Sequence, residues 1–388
     1  MPTLPWALLA AACLGMFAAS SSGTTRAPFL IEMARDLSTS LPMVANLMAA
    51  TSISWGISSV FAGAASDRWG RRPFLIGGPL GLAACLTCLS LAQSYLGVAF
   101  WATAAGAFAG GFTGVIMTEA SARTADRQRG RALGWVMAGQ SLALLVGVPL
   151  AAWIGSSIGW RGVNRVVASV AVLAAIGLFA TTLRPPAGSA SGARPARTSM
   201  RSAMTGPVLR LLSMGVAERV CYGLTVVYLA TFLQATYGLT PAGVAIPLGL
   251  VALGNILGTI VGGQAADRFA DRSRTFALAM IGSGGAAMAL FSWTPGLAGT
   301  VALGFAYATF SAMSRPSLMA ALANVPDEVR GTVLGLNVTA ASLGWLGAAT
   351  LGGWIMAEIG FIGFGPFAMT VALVGAVLAL TGRNHRAG

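Results

Sequence analysis

Glu218, Arg219, Arg315 and Arg26 lie inside long stretches that are otherwise apolar. A charge at such a depth is costly enough to mark a working site. Glu218 and Arg219 fall about eleven residues into their stretch, near the middle of a bilayer core at 1.5 Å per helical residue. Gly215, Glu218, Tyr222 and Thr225 follow i, i+3, i+7, i+10 spacing, with Arg219 adjoining, and form one polar stripe on an apolar helix. Tyr307, Ser311, Ser314 and Arg315 share a second face. Ser20, Ser21, Ser22, Thr24, Thr25 and Arg26 cluster toward the outer end of the first stretch. Three guanidiniums against one carboxylate suit a small anionic or carboxylate-bearing solute, gripped by paired N–H donors. Arg26, Glu218, Arg219, Tyr222, Tyr307, Ser311 and Arg315 are therefore the candidate substrate-binding residues. Glu218, the one carboxylate placed at mid-depth, is the candidate for proton coupling. The competing account is structural. Glu218 would pair with Arg219 or Arg315 as a lock between helices, and Arg26 would sit at the outer interface near Glu32. Arg315 precedes Pro316 and could mark a bend.

Enzymatic chemistry lacks its parts. The one histidine, His385, lies in a polar tail, so no Ser-His, Cys-His or His-Glu arrangement exists. Cys13, Cys85, Cys88 and Cys221 all fall in apolar segments, and Cys85-x-x-Cys88 has no flanking ligand. They read as small core residues. No cofactor or metal is expected.

The elements that must hold these side chains are membrane helices. Of 388 residues 56% are hydrophobic and 9% charged, against roughly 25% charged in soluble domains. Twelve apolar stretches of crossing length are predicted, at 6–28, 42–66, 73–93, 96–120, 132–154, 163–183, 208–234, 241–266, 275–293, 297–322, 332–356 and 361–380. The first 25 residues lack a positive leading region and read as the first span, not as a secretion signal. Residues 184–203, rich in Pro, Gly, Ser, Ala and Arg, read as a flexible linker. The predicted domains are 1–183, a linker over 184–206, and 207–388. There is no lysine, and 18 of the 24 arginines fall in one alternating set of inter-span segments against three in the other. That bias puts both termini in the cytoplasm. It leaves no basic, aromatic-interleaved patch for nucleic acid. All-arginine usage with abundant Ala and Gly fits a GC-rich bacterial coding sequence, and hence a bacterial inner membrane.

The two halves repeat. Gly63-Ala-Ala-Ser-Asp67-Arg68-Trp69 recurs as Gly263-Gln-Ala-Ala-Asp267-Arg268-Phe269, and Arg129-Gly130-Arg-Ala-Leu133-Gly134 as Arg330-Gly331-Thr-Val-Leu334-Gly335. The offsets, 200 and 201, indicate an internal duplication in one orientation, an arrangement that recurs among secondary transporters with the site at the repeat interface.

The run Gly63 to Asp67-Arg68-Trp69-Gly70-Arg71-Arg72 resembles the signature loop of the major facilitator superfamily, G-x-L-x-D-R-x-G-R-R, departing only at Ala65. In its second copy Ala270-Asp271-Arg272 replaces Gly-Arg-Arg. Gly147-Val148-Pro149-Leu150 resembles the fifth-helix motif of drug and sugar exporters in that superfamily, with Ala151 where glycine is usual and Gly159-Trp160-Arg161 following. The resemblance implies an all-α fold of two pseudo-symmetric six-helix bundles. It implies a monomeric secondary transporter of small molecules working by alternating access, an exporter by proton antiport sooner than an importer or a transport-inactive sensor. It implies a cytoplasmic latch of Gly63, Asp67, Arg68, Gly70, Arg71, Arg72, Glu119, Asp267 and Arg268. There Asp67 would face the start of the eleventh span near Gly331, and an arginine would pair with Glu119. Spans one, four, seven and ten would line the cavity. One departure stands out. Proton-coupled antiporters of this kind carry an arginine four residues before a glycine in the fourth helix, and relative to Gly106 that position is Ala102. That helix instead carries Gly106, Gly110 and Gly114, a stripe for close packing.

Overall fold

The computed structural model describes residues 4–125, 128–182, 204–269, 271–325 and 327–381. Every regular element among them is helical, as lipid demands of backbone N–H and C=O groups that water does not reach. The first half holds α1 (Trp6–Thr24), α2 (Leu30–Asp36), α3 (Leu41–Trp69), α4 (Arg72–Leu91), α5 (Tyr95–Ala122), α6 (Arg129–Leu142) and α7 (Val148–Thr181). The second holds α8 (Gly206–Tyr237), α9 (Ala245–Arg268), α10 (Arg272–Ser292), α11 (Leu297–Ala323), α12 (Asp327–Glu358) and α13 (Phe364–Thr381). Prolines begin several of them, at Pro42, Pro73 and Pro207, where a missing N–H costs nothing. Gly70 (φ 83°) and Gly238 (φ 64°) end α3 and α8 in conformations open to glycine. Ser94 caps α5 and Asp271 caps α10, accepting from Gly97 N at 3.2 Å and Arg274 N at 3.0 Å.

Among the described residues eleven continuous helical runs are long and apolar enough to cross a membrane, where the sequence predicts twelve. The difference lies in one run, Arg129–Thr181, of 53 residues. Straight, it would extend roughly 80 Å, more than twice a hydrocarbon core. It is not straight. Gly159 has φ 65° and ψ 172°. A Cβ placed on Gly155 would lie 3.0 Å from Val163 Cγ2, two residues that a continuous helix holds about 12 Å apart. The chain doubles back at Gly159, and the twelve crossings are recovered. Before the reversal, Ala143–Gly147 forms a π-helical turn between α6 and α7, with Pro149 just beyond it. A proline deprives one carbonyl of its donor, a common origin of such irregularities.

The chain divides into two compact units: Met1–Ser40, Ala50–Arg194 and Thr240–Ala245 make one, and Leu41–Ala49, Pro195–Leu239 and Ile246–Gly388 the other. The expected linker lies outside the described residues apart from its last three, of which Gly206 already belongs to α8.

Each unit contains a seam, lined by three glycines four residues apart, where two helices touch backbone to backbone. In the first, Gly106, Gly110 and Gly114 of α5 face α3. Cβ atoms there would stand 2.3 Å from Thr51 O, 2.2 Å from Trp55 O and 3.1 Å from Ser59 O. Ser54 and Ser58 of α3 donate across the seam to the carbonyls of Thr103 and Ala107, each at 2.7 Å. In the second, Gly254, Gly258 and Gly262 of α9 face α11. Added Cβ atoms would meet Phe305 O at 2.7 Å, Thr309 O at 2.2 Å and Met313 O at 2.4 Å.

Candidate functional site

The second unit gathers most of the predicted charges. α8 brings Glu218, Arg219 and Tyr222, and α11 brings Arg315. Glu218 is buried, its side chain 2% exposed, while Arg219 and Arg315 keep 18% and 23%. Arg315 donates to Glu218 Oε1 through Nη2 at 2.9 Å and Nε at 3.2 Å. Arg219 Nε stands 3.4 Å from Glu218 Oε2. Both guanidiniums lie over the Tyr222 ring, Arg315 at 4.9 Å and Arg219 at 5.8 Å from its centroid, an arrangement that favours the cations. The Tyr222 ring packs edge-on to Trp345 of α12. Gly344 clears the space beside Arg219, since a Cβ there would lie 2.3 Å from Arg219 Cβ. The cluster thus presents arginine outward, hides its carboxylate, and retains one net positive charge.

Tyr307 and Ser311 are buried in the same unit. The Tyr307 hydroxyl donates to the Cys221 carbonyl, tying α11 to α8. Ser311 Oγ is buried without a hydrogen-bond partner. α11 runs on as one helix through Pro316.

Arg26 belongs to the first unit. The residue is 2% exposed. α1, a short 3-10 turn and α2 make one continuous run to Asp36, so Arg26 lies within the helical run and not at its end. Its Nη1 donates to Thr51 Oγ1 of α3 at 3.1 Å, and Thr51 donates on to the Ala102 carbonyl of α5 at 3.3 Å. The position at which the resemblance calls for an arginine is therefore one hydroxyl away from an arginine supplied by α1.

The ends of the first unit carry ion clusters. At one, Glu119 is 4% exposed and takes Arg71 Nη1 at 3.3 Å together with Arg123 Nε. Arg123 also reaches the Thr181 carbonyl at 3.5 Å, and Arg72 lies 5.0 Å over the Phe179 ring. The structure brings Arg71 to Glu119. The expected contact of Asp67 with the eleventh span rests on side chains outside the described residues. Asp267 and Arg268 end α9, and the cap beside them comes from Asp271, which also pairs with Arg274 at 3.2 Å. At the other end, Asp36 accepts from Arg161 Nη1 at 2.7 Å and Trp160 Nε1 at 2.9 Å. That second cluster escaped the sequence reading, although Gly159-Trp160-Arg161 was the signal for it. Also unforeseen is an apolar groove of about 660 Å³ lined by Phe61, Trp69, Phe74 and Phe108. Among the described residues no group of three His, Cys, Asp or Glu side chains could hold a metal ion.

The profile of the Major Facilitator Superfamily matches residues 12–218 and again 211–387. The chain belongs to that superfamily. The double match follows the internal duplication, one superfamily half after another. Among curated relatives, the chloramphenicol resistance protein of Streptomyces lividans is 27% identical over 269 residues, covering 68% of this chain and 67% of that one. The inner membrane transport protein YdhP of Escherichia coli K12 is 28% identical over 284 residues, covering 70% and 67%. A crystal structure of a bacterial homologue of the human lysosomal transporter Spinster shares the fold, with a TM-score of 0.77 at 16% identity over 98% of this chain and 95% of that one. Within the superfamily frame the fifth-helix motif has a place. A Cβ on Gly147 would meet Ser21 Oγ at 3.1 Å and the Phe17 ring at 3.2 Å, and one on Gly139 would lie 2.1 Å from the Cys13 carbonyl oxygen. The motif packs the fifth span onto the first.

Proposed function

We propose that this superfamily member is a proton-coupled exporter of a small solute in a bacterial inner membrane, working by alternating access as a monomer with both termini in the cytoplasm. The observation that carries it is the Glu218 cluster. A buried carboxylate ties guanidiniums of two separate helices, α8 and α11, at mid-span. Ionised, it holds both. Protonated, it loses the charge that holds both, so one proton loosens α8 against α11, which the Tyr307–Cys221 bond still joins. The names of the relatives, resistance protein and transport protein, support export. The cytoplasmic latch of Gly63–Arg72 is the proposed means of holding the inner end shut, with Arg71–Glu119 as one of its pairs.

Export and co-transport differ in the sign of proton movement on solute binding: release for antiport, uptake for co-transport. The test is a panel of chloramphenicol and small carboxylates, scored by intracellular accumulation in cells with and without the protein. Inverted vesicles then follow fluorescence dequenching of a preset proton gradient. Glu218→Gln is expected to lower pH-driven uphill transport at least ten-fold while downhill exchange persists. Uphill transport at the native rate in a well-folded Glu218→Gln protein would count against Glu218 as the proton carrier.

A further inference from the structure

We propose that Arg26 holds a planar two-oxygen anion inside the first unit, either the carboxylate of the transported solute or a resident small anion of the same shape. The inference deepens the transporter reading by naming what its solute carries. A guanidinium remains protonated across the accessible pH range. Burying it unpaired is among the costliest things a fold can do. Arg26 is 2% exposed, and one of its three nitrogens has an acceptor, the Thr51 hydroxyl. That hydroxyl is neutral and spends its own proton on the Ala102 carbonyl. Nε and Nη2 have no hydrogen-bond partner. These two nitrogens form one edge of the planar group, with parallel N–H bonds spaced for the two oxygens of a carboxylate.

The carboxylates of the first unit are turned elsewhere: Asp36 has Arg161, Glu32 lies beside Gly159 with Oε1 3.4 Å from where a Cβ there would stand, and Glu119, at the far end of α5, has Arg71 and Arg123. The contrast with the second unit is direct, since there Glu218 supplies the oxygens that Arg219 and Arg315 require. Arg26 has the same need and no such residue. Ser20 and Ser21, on the same buried stretch of α1, also have hydroxyl oxygens without partners.

The experiment uses the purified full-length protein in detergent, in a buffer whose one anion is HEPES, with sodium acetate, formate or nitrate added at matched ionic strength and chloride as the single-atom control. The unfolding midpoint of the native protein should rise on the order of 3 °C with saturating acetate, formate or nitrate, and less with chloride. Arg26→Gln in HEPES alone should be at least as stable as the native protein and should not answer to acetate. Arg26→Lys keeps the charge, loses the fork, and should no longer distinguish acetate from chloride. A native protein indifferent to all four anions overturns the proposal. So does an undiminished acetate response in Arg26→Gln. If that variant does not fold, an unchanged acetate preference in Arg26→Lys overturns it instead. Ion chromatography of what the denatured protein releases separates the two sources. About one small oxyanion per chain marks a resident ion, and none marks a place kept for the solute. The response is read without transport, so a protein that moves nothing yet answers to acetate would sink the transporter reading alone.

Discussion

In the first unit the glycines of the tight seam sit on α5 and face serines of α3. In the second they sit on α9, the counterpart of α3, and face Phe305, Thr309 and Met313 of α11. The correspondence is positional. Ser54 and Ser58 answer to Gly254 and Gly258 at the offset of 200, while Gly106, Gly110 and Gly114 answer to Phe305, Thr309 and Met313 at 199. The small residues have changed sides while the closeness of the two backbones has stayed. What the duplication preserves is a distance, and either helix can provide the room for it. The hydrogen bonds have changed sides too: serines of α3 donate to carbonyls of α5, and Thr309 of α11 donates to Gly254 O of α9 at 3.1 Å.

The largest effect should come from filling the seam where backbone oxygen blocks it. Gly110→Ala and Gly258→Ala each put a Cβ 2.2 Å from a carbonyl oxygen that no rotamer change can move. Overpacking costs about 1–3 kcal/mol and more against backbone, against a helix gain of about 1 kcal/mol for Ala over Gly. Both variants should lose about 2 kcal/mol net and several degrees of unfolding midpoint. Equal losses would support the exchange of sides, and loss in one unit alone would break the correspondence. A mid-sized effect belongs to Ser58→Ala, which removes the bond to the Ala107 carbonyl and should cost about 1 kcal/mol. On the Gly110→Ala background it should cost nearly nothing, because the same displacement has already broken that bond, and the double-mutant cycle measures this. The smallest effect should be Gly114→Ala, whose Cβ would stand 3.1 Å from Ser59 O. Its midpoint should stay within about 1 °C of native, with strain and helix propensity offsetting each other.

The spans, the duplication and the first seam were legible because hydropathy, repeated motifs and a small-xxx-small stripe are properties of sequence alone. The second seam used the same pattern, Gly254-x-x-x-Gly258-x-x-x-Gly262, and could have been found by the same search. Arg219 and Arg315 were both nameable as partners of Glu218 from their depth, but that both engage it at once, Arg315 through two nitrogens, was not, because Arg315 comes from 97 positions away and reaches it only with α8 and α11 packed together. The burial of Arg26 was not legible either, because it depends on α1 meeting Thr51 of α3, 25 positions away.

The reversal at Gly159 bears on how the protein is made. Its φ of 65° and ψ of 172° lie in a region essentially closed to residues with a side chain, and the chain turns there with no intervening loop. The fifth and sixth spans have no tether of soluble chain between them to wait in water while one inserts and the other is still being synthesised. We expect them to enter the bilayer as a single hairpin, with Gly159→Ala leaving the sixth span outside when glycosylation acceptors flanking it are scored during translation in microsomes. A variant that inserts normally would place the turn after insertion, in the folding of the bundle. On the hairpin route, and with the proposed cytoplasmic termini, Arg161 and Arg165, just past the turn, would be drawn through the membrane at its leading tip, and Asp36 and Ser90, their hydrogen-bond partners in the fold, would receive them there.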